Sequence, residues 1–335
     1  MSTVTNSITY SGNQASEILL TPLVERAVGI SDFRVIFDVT GKTRVPTLAG
    51  LQETARDGSS CSTTEVGAVT LSDYVLQPQP VVHNLGFCKY EFKASYLAGD
   101  FPANSNDFTG TELIEAIEQY AGEGVMNDQY DLIFWGNASG VSATYLTDPS
   151  VTGLYEAWDG GANMLTATDM TAGLATSFAT GASATLGKDE AWTILENLID
   201  AQSLELDQRE GKAFHVSRNF YRNLKQSLNG YNTSAGALRI VPSEVTGGVS
   251  VMEYDGIPII KHSRWDSVFT GNSGLGFNTF AVLTANENNV IAIDGTDASL
   301  DVWYSKDDDK VKMRANYEID TNITFDSLYV AYKNV

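Results

Sequence analysis

One stretch, residues 109–135 followed by Gly136, limits the possible folds of this chain more than any other. At 100° per residue, its acidic side chains lie opposite an apolar face formed by Leu113, Ile117, Tyr120, Ala121, Gly124 and Val125. The pattern predicts a long amphipathic helix that packs against a core. Thr109 and Glu112 have the spacing of a capping box, which satisfies free N–H groups at a helix start. Gly124 would let another backbone approach closely, and the apolar run 132–135 closes the helix.

Composition limits the class of protein. The 335 residues are enough for two domains, and 43% hydrophobic residues are enough for a core. The formal net charge is −21, from 42 acidic and 21 basic residues, which argues against a nucleic-acid-binding surface. The N-terminal sequence has no signal-peptide pattern, and no apolar run is long enough to span a bilayer. The protein is expected to be made and used in a cytosol, or carried out of one inside a larger particle.

The first third of the chain predicts segments with little core of their own. Residues 1–12 are polar, and the helix-like segment 13–28 is interrupted by Pro22, which together indicates an extended arm. Residues 33–39 alternate as a strand, and 40–85 form a long hairpin with a polar tip. Such an arm and hairpin are expected to lie on another surface, which can belong to another copy of the protein.

The remainder predicts an α/β layer followed by strands. A helix is expected after Asp189, a strand at 213–216, and a helix from Ser217 to a C-cap at Gly230. Asp255-Gly256 predicts a hairpin turn. Apolar strands are expected at 280–283 and 290–293, and the C-terminus is expected to be a meander of three strands at 302–304, 310–318 and 323–332.

A phosphate-binding loop is the first candidate site. Residues 181–188, GASATLGK, have five residues between their glycines, where the Walker A motif has four. Asp189 stands where that motif has Ser or Thr, and its carboxylate would repel phosphates. A nucleotide site is therefore not predicted here.

Nucleophilic and metal chemistry also lack their patterns. Residues 136–140, GNASG, do not have the spacing of a nucleophile elbow. The histidines are far apart in the sequence and are interpreted as structural or surface residues: His83, His215 and His262. Two groups of aspartates are interpreted as solvated turns: Asp307, Asp308 and Asp309, and Asp294, Asp297 and Asp301. No catalytic, cofactor-binding or metal-binding residue is predicted, and the chain is not expected to be an enzyme.

The sequence also contains two basic stripes and two cysteines. Each stripe is either a solvated face or a contact with an acidic neighbour: Arg218, Arg222 and Lys225 on a helix, and Lys310, Lys312 and Arg314 on a strand. Cys61 and Cys88 have no metal-ligand spacing, and free thiols in a reducing compartment are expected. Whether the two cysteines pair depends on the fold.

The order of these elements resembles the HK97-like major capsid proteins of tailed bacteriophages. Residues 110–140 are similar to that family's spine helix and the glycine turn after it, and 152–155, TGLY, to the segment that follows. Residues 214–228 resemble the strand and helix of its A-domain, and 254–258, YDGIP, resemble its Gly-x-Pro hairpin. Residues 280–293 and 302–333 resemble the strands that return to the P-domain. The resemblance covers nearly the whole chain.

The resemblance implies an α+β fold with four parts. These are an N-terminal arm (1–30), an E-loop hairpin with flanking strands (31–97), a P-domain with the spine helix (98–145 and 295–335) and an A-domain (146–294). It also implies a major capsid protein that self-assembles, as hexamers and pentamers, into an icosahedral shell around phage DNA. Lys42 lies at the base of the hairpin and no lysine lies at its tip, so a covalent cross-link from the hairpin is not expected.

The implied partners are further copies of the chain, a portal protein and a scaffolding protein, with a decoration protein possible. The shell would enclose DNA without sequence-specific binding and without contact with a membrane. The implied location is the virion, after assembly in the cytoplasm of a host bacterium. Two alternatives stay open at this point. One is a nanocompartment shell of the same fold around an enzyme cargo. The other is a β-rich glycan-binding or hydrolytic protein that uses its 15 Tyr and 5 Trp residues.

Overall fold

The computed structural model describes residues 7–11, 34–48, 71–88, 112–135, 186, 190–231, 252–266, 279–305, 307–308, 310–325 and 328–333. The segment 13–28, the hairpin tip, Thr109, Cys61, and the loop 181–188 apart from Leu186 lie outside the described residues. Within the described residues the fold is mixed α+β, as predicted. No described helix is long and apolar enough to cross a membrane.

The elements follow one another along the chain. The strands are β1 (Ser7–Ser11), β2 (Arg34–Phe37), β3 (Thr43–Leu48), β4 (Leu71–Leu76), β5 (Gln79–Cys88), β6 (Lys212–Ser217), β7 (Met252–Tyr254), β8 (Ile257–His262), β9 (Phe280–Ala285), β10 (Asn289–Ser305), β11 (Lys310–Ile323) and β12 (Tyr329–Lys333). The helices are α1 (Glu112–Trp135), α2 (Glu190–Asp200), α3 (Leu204–Asp207) and α4 (Arg218–Tyr231), with a 3-10 turn at Asn286–Asn288.

The first sheet is built around the long antiparallel pair β10 and β11. Its order is β1-β10-β11-β5, and β2 runs parallel to the first part of β10. Along β11 buried residues alternate with more accessible ones, so Val311, Met313, Ala315 and Tyr317 face the interior. This alternation is the one that the sequence predicted for residues 310–318, and it ends at Ile319, after which Asp320 and Thr321 are also buried.

The second sheet has the order β12-β9-β6-β8-β7, with β6 and β8 parallel. Alternate residues of β6 face opposite sides, because side chains alternate across a strand. Phe214 and Val216 pack with α2 and α4 in one apolar cluster, whereas His215 faces the other side of the sheet. The turn at Asp255-Gly256 joins β7 to β8, and both residues have positive φ, 52° and 77°, as the dipeptide predicted.

The hairpin predicted for residues 40–85 is present at its base. β3 and β4 pair antiparallel from Thr43–Leu76 to Leu48–Leu71. The base is held on the first sheet by side chains of β11. The Asp320 carboxylate accepts a hydrogen bond from the Gln77 backbone N–H at 2.7 Å, and the Asn322 amide donates to the Val75 carbonyl at 2.9 Å. Tyr74 and Leu76 add a small apolar cluster with Val290 and Ala292 of β10.

The C-terminal half of α1 lies between the two sheets. Every residue from Gln129 to Trp135 is buried, so this end of the helix has no solvent-facing side. Gly124, expected at a close backbone contact, is instead exposed, and a Cβ there would meet nothing within 4 Å. A single apolar face therefore does not describe this part of the helix, because the second buried side comes from a second sheet.

Three expectations for the C-terminal half are corrected. Residues 290–293 and 302–304 belong to one strand, β10, with a register irregularity between Asp294 and Ser299. The last strand does not extend a meander with β11, because β12 pairs with β9 in the second sheet. Helix α4 continues through Gly230 to Tyr231 and does not end with that glycine as its cap.

Candidate functional site

Several buried polar side chains of the described residues meet where α1 contacts the second sheet. The Tyr130 hydroxyl is hydrogen-bonded to Nδ1 of His262, and Nε2 of His262 lies 2.9 Å from Nδ1 of His215. The two histidines, 47 residues apart, meet because β6 and β8 are parallel neighbours and Ser217 stands beside His262 in the register. No local pattern in the sequence indicates this pairing.

The three groups form a hydrogen-bonded chain. Which group donates in each contact is set by the tautomers of the two rings. Burial lowers the pKa of His215 to about 3, so this ring stays uncharged at neutral pH. Both rings are about 1% exposed, and His262 is stacked on Trp265 at 4.2 Å between ring centroids. Substrate has no access to groups buried to this degree, so the arrangement is suited to holding the helix on the sheet.

An ion pair reinforces the same junction. Arg264 Nε lies 3.0 and 3.2 Å from the two carboxylate oxygens of Asp131, and Nη2 of Arg264 lies 2.5 Å from Oδ2. The Asp131 side chain is 1% exposed and that of Arg264 is 30% exposed. The guanidinium thus compensates a carboxylate that the fold has removed from water.

Another set of polar groups joins α1 to the first sheet. His83 of β5 lies with Nε2 2.8 Å from the Tyr317 hydroxyl, and its Nδ1 is 3.7 Å from the Asp128 carboxylate. Burial lowers the pKa of His83 to about 4, so at neutral pH the contact with Asp128 is not an ion pair. Burial, and then the neighbouring Asp131, raise the pKa of Asp128 to about 6, while Arg264 lowers it. Ionised Asp128 is therefore disfavoured by the fold.

The aspartates considered as metal ligands are not brought together by the described residues. Asp308 pairs with Lys312 and accepts a hydrogen bond from Ser305, and Asp301 lies opposite Arg314 across the strands. The side chains of Asp294 and Asp297, and Asp309, lie outside the description. Within the described ranges no three His, Cys, Asp or Glu residues are grouped to hold a metal. Cys88 is a free thiol.

A cavity of about 270 Å³ opens at the seam between the two sheets. Arg34, Arg209, Glu210 and Asn286 contribute to its lining. Its volume is slightly below the range of about 300–1,000 Å³ that is usual for small-molecule sites. Its side chains do not include a nucleophile paired with a base, so the cavity does not suggest catalysis.

The two basic stripes have different surroundings. On β11, Lys312 is paired with Asp308, and Arg314 donates to Asn316 at 3.3 Å. On α4, Arg218, Arg222 and Lys225 are all exposed. Among the described residues no ion pair involves Arg222 or Lys225. The stripe on α4 is therefore the more available of the two.

Known proteins resemble this chain in structure and not in sequence. No family model and no curated protein sequence matches it. A chain of the satellite phage P4 procapsid superimposes with a TM-score of 0.54 at 10% identity, over 94% of this chain and 99% of that one. The capsid of a native GTA particle gives 0.56 at 9% identity over 92% and 90%. The capsid of cyanophage A-1(L) gives 0.51 at 12% identity, covering 92% of each chain.

These likenesses establish the fold. The chain has the mixed α+β fold of phage capsid subunits, and the match runs over nearly the full length of both partners. At such low identity a likeness speaks for architecture alone, so the role of this chain in a shell is argued separately below. The resemblance to HK97-like capsid proteins is thus confirmed as a fold.

Proposed function

We propose that this chain is a major capsid protein that self-assembles into the icosahedral shell enclosing phage DNA. The observation that carries the proposal is the extent of the likeness, which leaves almost no part of the P4 procapsid chain unmatched. A shell subunit needs flat, extended elements and no catalytic centre. The described junctions of α1 fit that requirement, since their polar groups are buried and hold elements together.

The proposal includes the four parts that the resemblance implies. The arm is residues 1–30, and the E-loop hairpin with its flanking strands is 31–97, which contains β3 and β4. The P-domain is assigned to 98–145 and 295–335, with α1 as the spine helix, and the A-domain to 146–294. Pairing supports two refinements: β10 joins the P-domain sheet from Asn289, and β12 joins the A-domain sheet.

The partners follow from the proposal. Copies of the chain would form the hexamers and pentamers of a capsid, with portal and scaffolding proteins as further partners and a decoration protein possible. The shell would be assembled in the host bacterial cytoplasm and end in the virion. The net charge of −21 fits a shell that encloses DNA without gripping it, because like charges do not adhere.

The alternatives have less support. The solved structures described above are phage or GTA capsids, and none of their names describes an enzyme compartment. For a glycan-binding or hydrolytic protein, the described aromatic side chains at the junction are buried: Tyr130, Phe134, Trp135 and Trp265. A buried aromatic ring offers no platform for a sugar. The proposal therefore includes no enzymatic activity.

Expression of the chain alone and together with its candidate scaffolding protein tests the proposal. Size-exclusion chromatography and negative-stain microscopy are expected to show large closed particles of uniform size. A protein that stays monomeric at every salt concentration, with or without the scaffold, would overturn the proposal. Particles from infected cells that hold an enzyme cargo in place of DNA would favour a nanocompartment.

A further inference from the structure

The unit built on the second sheet has a basic end. Arg218, Arg222 and Lys225 lie in the first eight residues of α4, which begins directly after β6. The exposed Lys261 near the end of β8 joins them, with its ammonium 5.6 Å from the ring centre of Tyr221 on α4. These four residues are termed the basic patch.

The opposite end of the same unit is acidic. Helix α2 ends at Asp200 and leads through the exposed Glu210 into the start of β6. Glu253 lies on β7, and Asp255 is in the turn that leads into β8. Burial raises the pKa of Tyr254, and Glu196, Asp255 and Asp200 raise it further, so these three carboxylates all lie near the Tyr254 side chain. Glu196, Asp200, Glu210, Glu253 and Asp255 are termed the acidic end.

Topology keeps the two groups apart. β6 and β8 are parallel, and their register sets Phe214 beside Ile259 and Ser217 beside His262. Arg218 and Lys261 lie where these strands end, and the acidic end lies where they begin. Six residues of strand separate the two ends of the sheet by roughly 20 Å, at about 3.3 Å per residue. Arg222 and Lys225 follow Arg218 within the first eight residues of α4. Arg218 and Lys261 are therefore too far from the carboxylates at the strand starts to pair with them in the same molecule.

We propose that the basic patch of one copy contacts the acidic end of a second copy. A contact between two different surfaces of the same chain is a head-to-tail contact, which closes into a ring when the rotation between copies is suitable. Two chains of net charge −21 repel at long range, so a local match of opposite charges gives them a preferred direction of approach. This inference rests on the proposed function, because it supplies a contact between neighbouring shell subunits.

The enclosed DNA is the competing occupant of the basic patch. Phosphate binding gains from many cations released together, whereas this patch has four in a strongly acidic chain. Every copy of the chain carries an acidic end whose charge is opposite to that of the basic patch. Binding of the basic patch to DNA would leave this acidic end unused. Charge complementarity therefore favours a second copy.

Three exposed residues provide the test. Arg222→Glu reverses the middle of the basic patch, and Asp200→Lys reverses a carboxylate of the acidic end. Arg209→Glu makes the same change of charge as Arg222→Glu but lies beside the acidic end, where extra negative charge does not oppose the proposed contact. Circular dichroism of each unassembled variant checks that it is folded.

Sedimentation velocity measures association of copies whether or not a closed shell forms. Arg222→Glu is expected to raise the concentration for half-maximal association by about tenfold or more. Arg209→Glu is expected to stay within about threefold of the wild type, and Arg222→Glu combined with Asp200→Lys is expected to return to that range.

The outcomes separate the two proposals. Absence of shells by negative-stain microscopy overturns the capsid function, while association data still judge the contact. Association of Arg222→Glu equal to that of the wild type overturns the contact alone. Loss that Asp200→Lys does not restore, accompanied by less DNA per particle, assigns the basic patch to DNA and also overturns the contact.

Discussion

Asp131 and Arg264 show how one residue pair holds the helix to the second sheet. The Asp131 side chain is almost completely buried, and Arg264 is the cation that contacts both its oxygens. Arg264→Met is expected to lower the free energy of unfolding by about 3 kcal/mol, because a buried carboxylate loses its cation. Urea unfolding of the unassembled subunit measures the change. Arg314→Met, at an exposed position on β11, should cost less than about 0.5 kcal/mol. Equal effects would contradict the assigned role of Asp131.

Asp128 makes stability depend on pH in a definite direction. Burial raises its pKa from 3.8 to about 6, so the folded state binds the proton more tightly than the unfolded state. The contribution of this proton to folding stability is complete below pH 3.8 and is lost as the pH rises through 6. Asp128→Asn, which stays neutral, is expected to stabilise the subunit more at pH 7.5 than at pH 4.5. His83 acts in the opposite direction, since its lowered pKa makes acid destabilising between pH 6.5 and about 4.

Unfolding curves of the unassembled wild type and Asp128→Asn at both pH values measure this difference. Asp38→Asn is a suitable control because Asp38 is exposed and Asn tolerates its positive φ of 58°. The control should show no such pH-dependent gain. A gain in stability for Asp128→Asn that is larger at pH 4.5 than at pH 7.5 would contradict the predicted direction.

At the scale of elements, the base of the hairpin is attached to the first sheet by two side chains of β11. Replacing both, as Asp320→Ala with Asn322→Ala, removes the hydrogen bonds to Gln77 and Val75. Amide exchange in β3 and β4 is then expected to accelerate by about tenfold or more, since each lost bond is worth about 1 kcal/mol.

Hydrogen-exchange mass spectrometry of the unassembled subunit follows both sheets at once. Exchange in β6 should be unchanged, because that strand belongs to the other sheet. Asn316→Ala is the matched control, because Asn316 lies on β11 like Asp320 and Asn322. This replacement removes a hydrogen bond to Ser299 of β10, which does not involve the hairpin. Unchanged exchange in β3 and β4 after the double replacement would show that other contacts hold the hairpin.

Local patterns predicted the elements whose causes are local. The helix α1, the alternation along the first part of β11 and the turn at Asp255-Gly256 depend on nearby residues, and all three are present. The meeting of His215 with His262, and the return of β12 to β9, depend on which strands become neighbours. The periodicity of a strand does not indicate which sheet it joins, because either sheet could accept an apolar strand such as 329–333. The complete burial of residues 129–135 was hidden for the same reason.

At the scale of the whole molecule, the net charge of −21 predicts how the proposed assembly responds to salt. Raising NaCl from about 50 mM to about 500 mM shortens the Debye length from above 10 Å to below 5 Å, which screens repulsion between approaching subunits. Shell formation, followed by light scattering, is expected to accelerate. Ion pairs closed within a contact are screened less than the long-range repulsion. An equal osmolality of sucrose controls for effects other than screening, and slower assembly at every higher salt concentration would contradict this expectation.

The position of β12 has a consequence for the order in which the protein is made. A ribosome adds residues 329–333 late, yet β12 pairs with β9, and the fully buried Tyr332 belongs to the cluster that also holds α2 and α4. In a nascent chain, β10 and β11 can pair while one edge of β9 still lacks its partner strand. The unit that carries both the basic patch and the acidic end is completed only afterwards. A polypeptide released before that strand therefore lacks Tyr332 and the edge strand of the second sheet. The proposed contact between copies would then form only between chains that have been synthesised through β12.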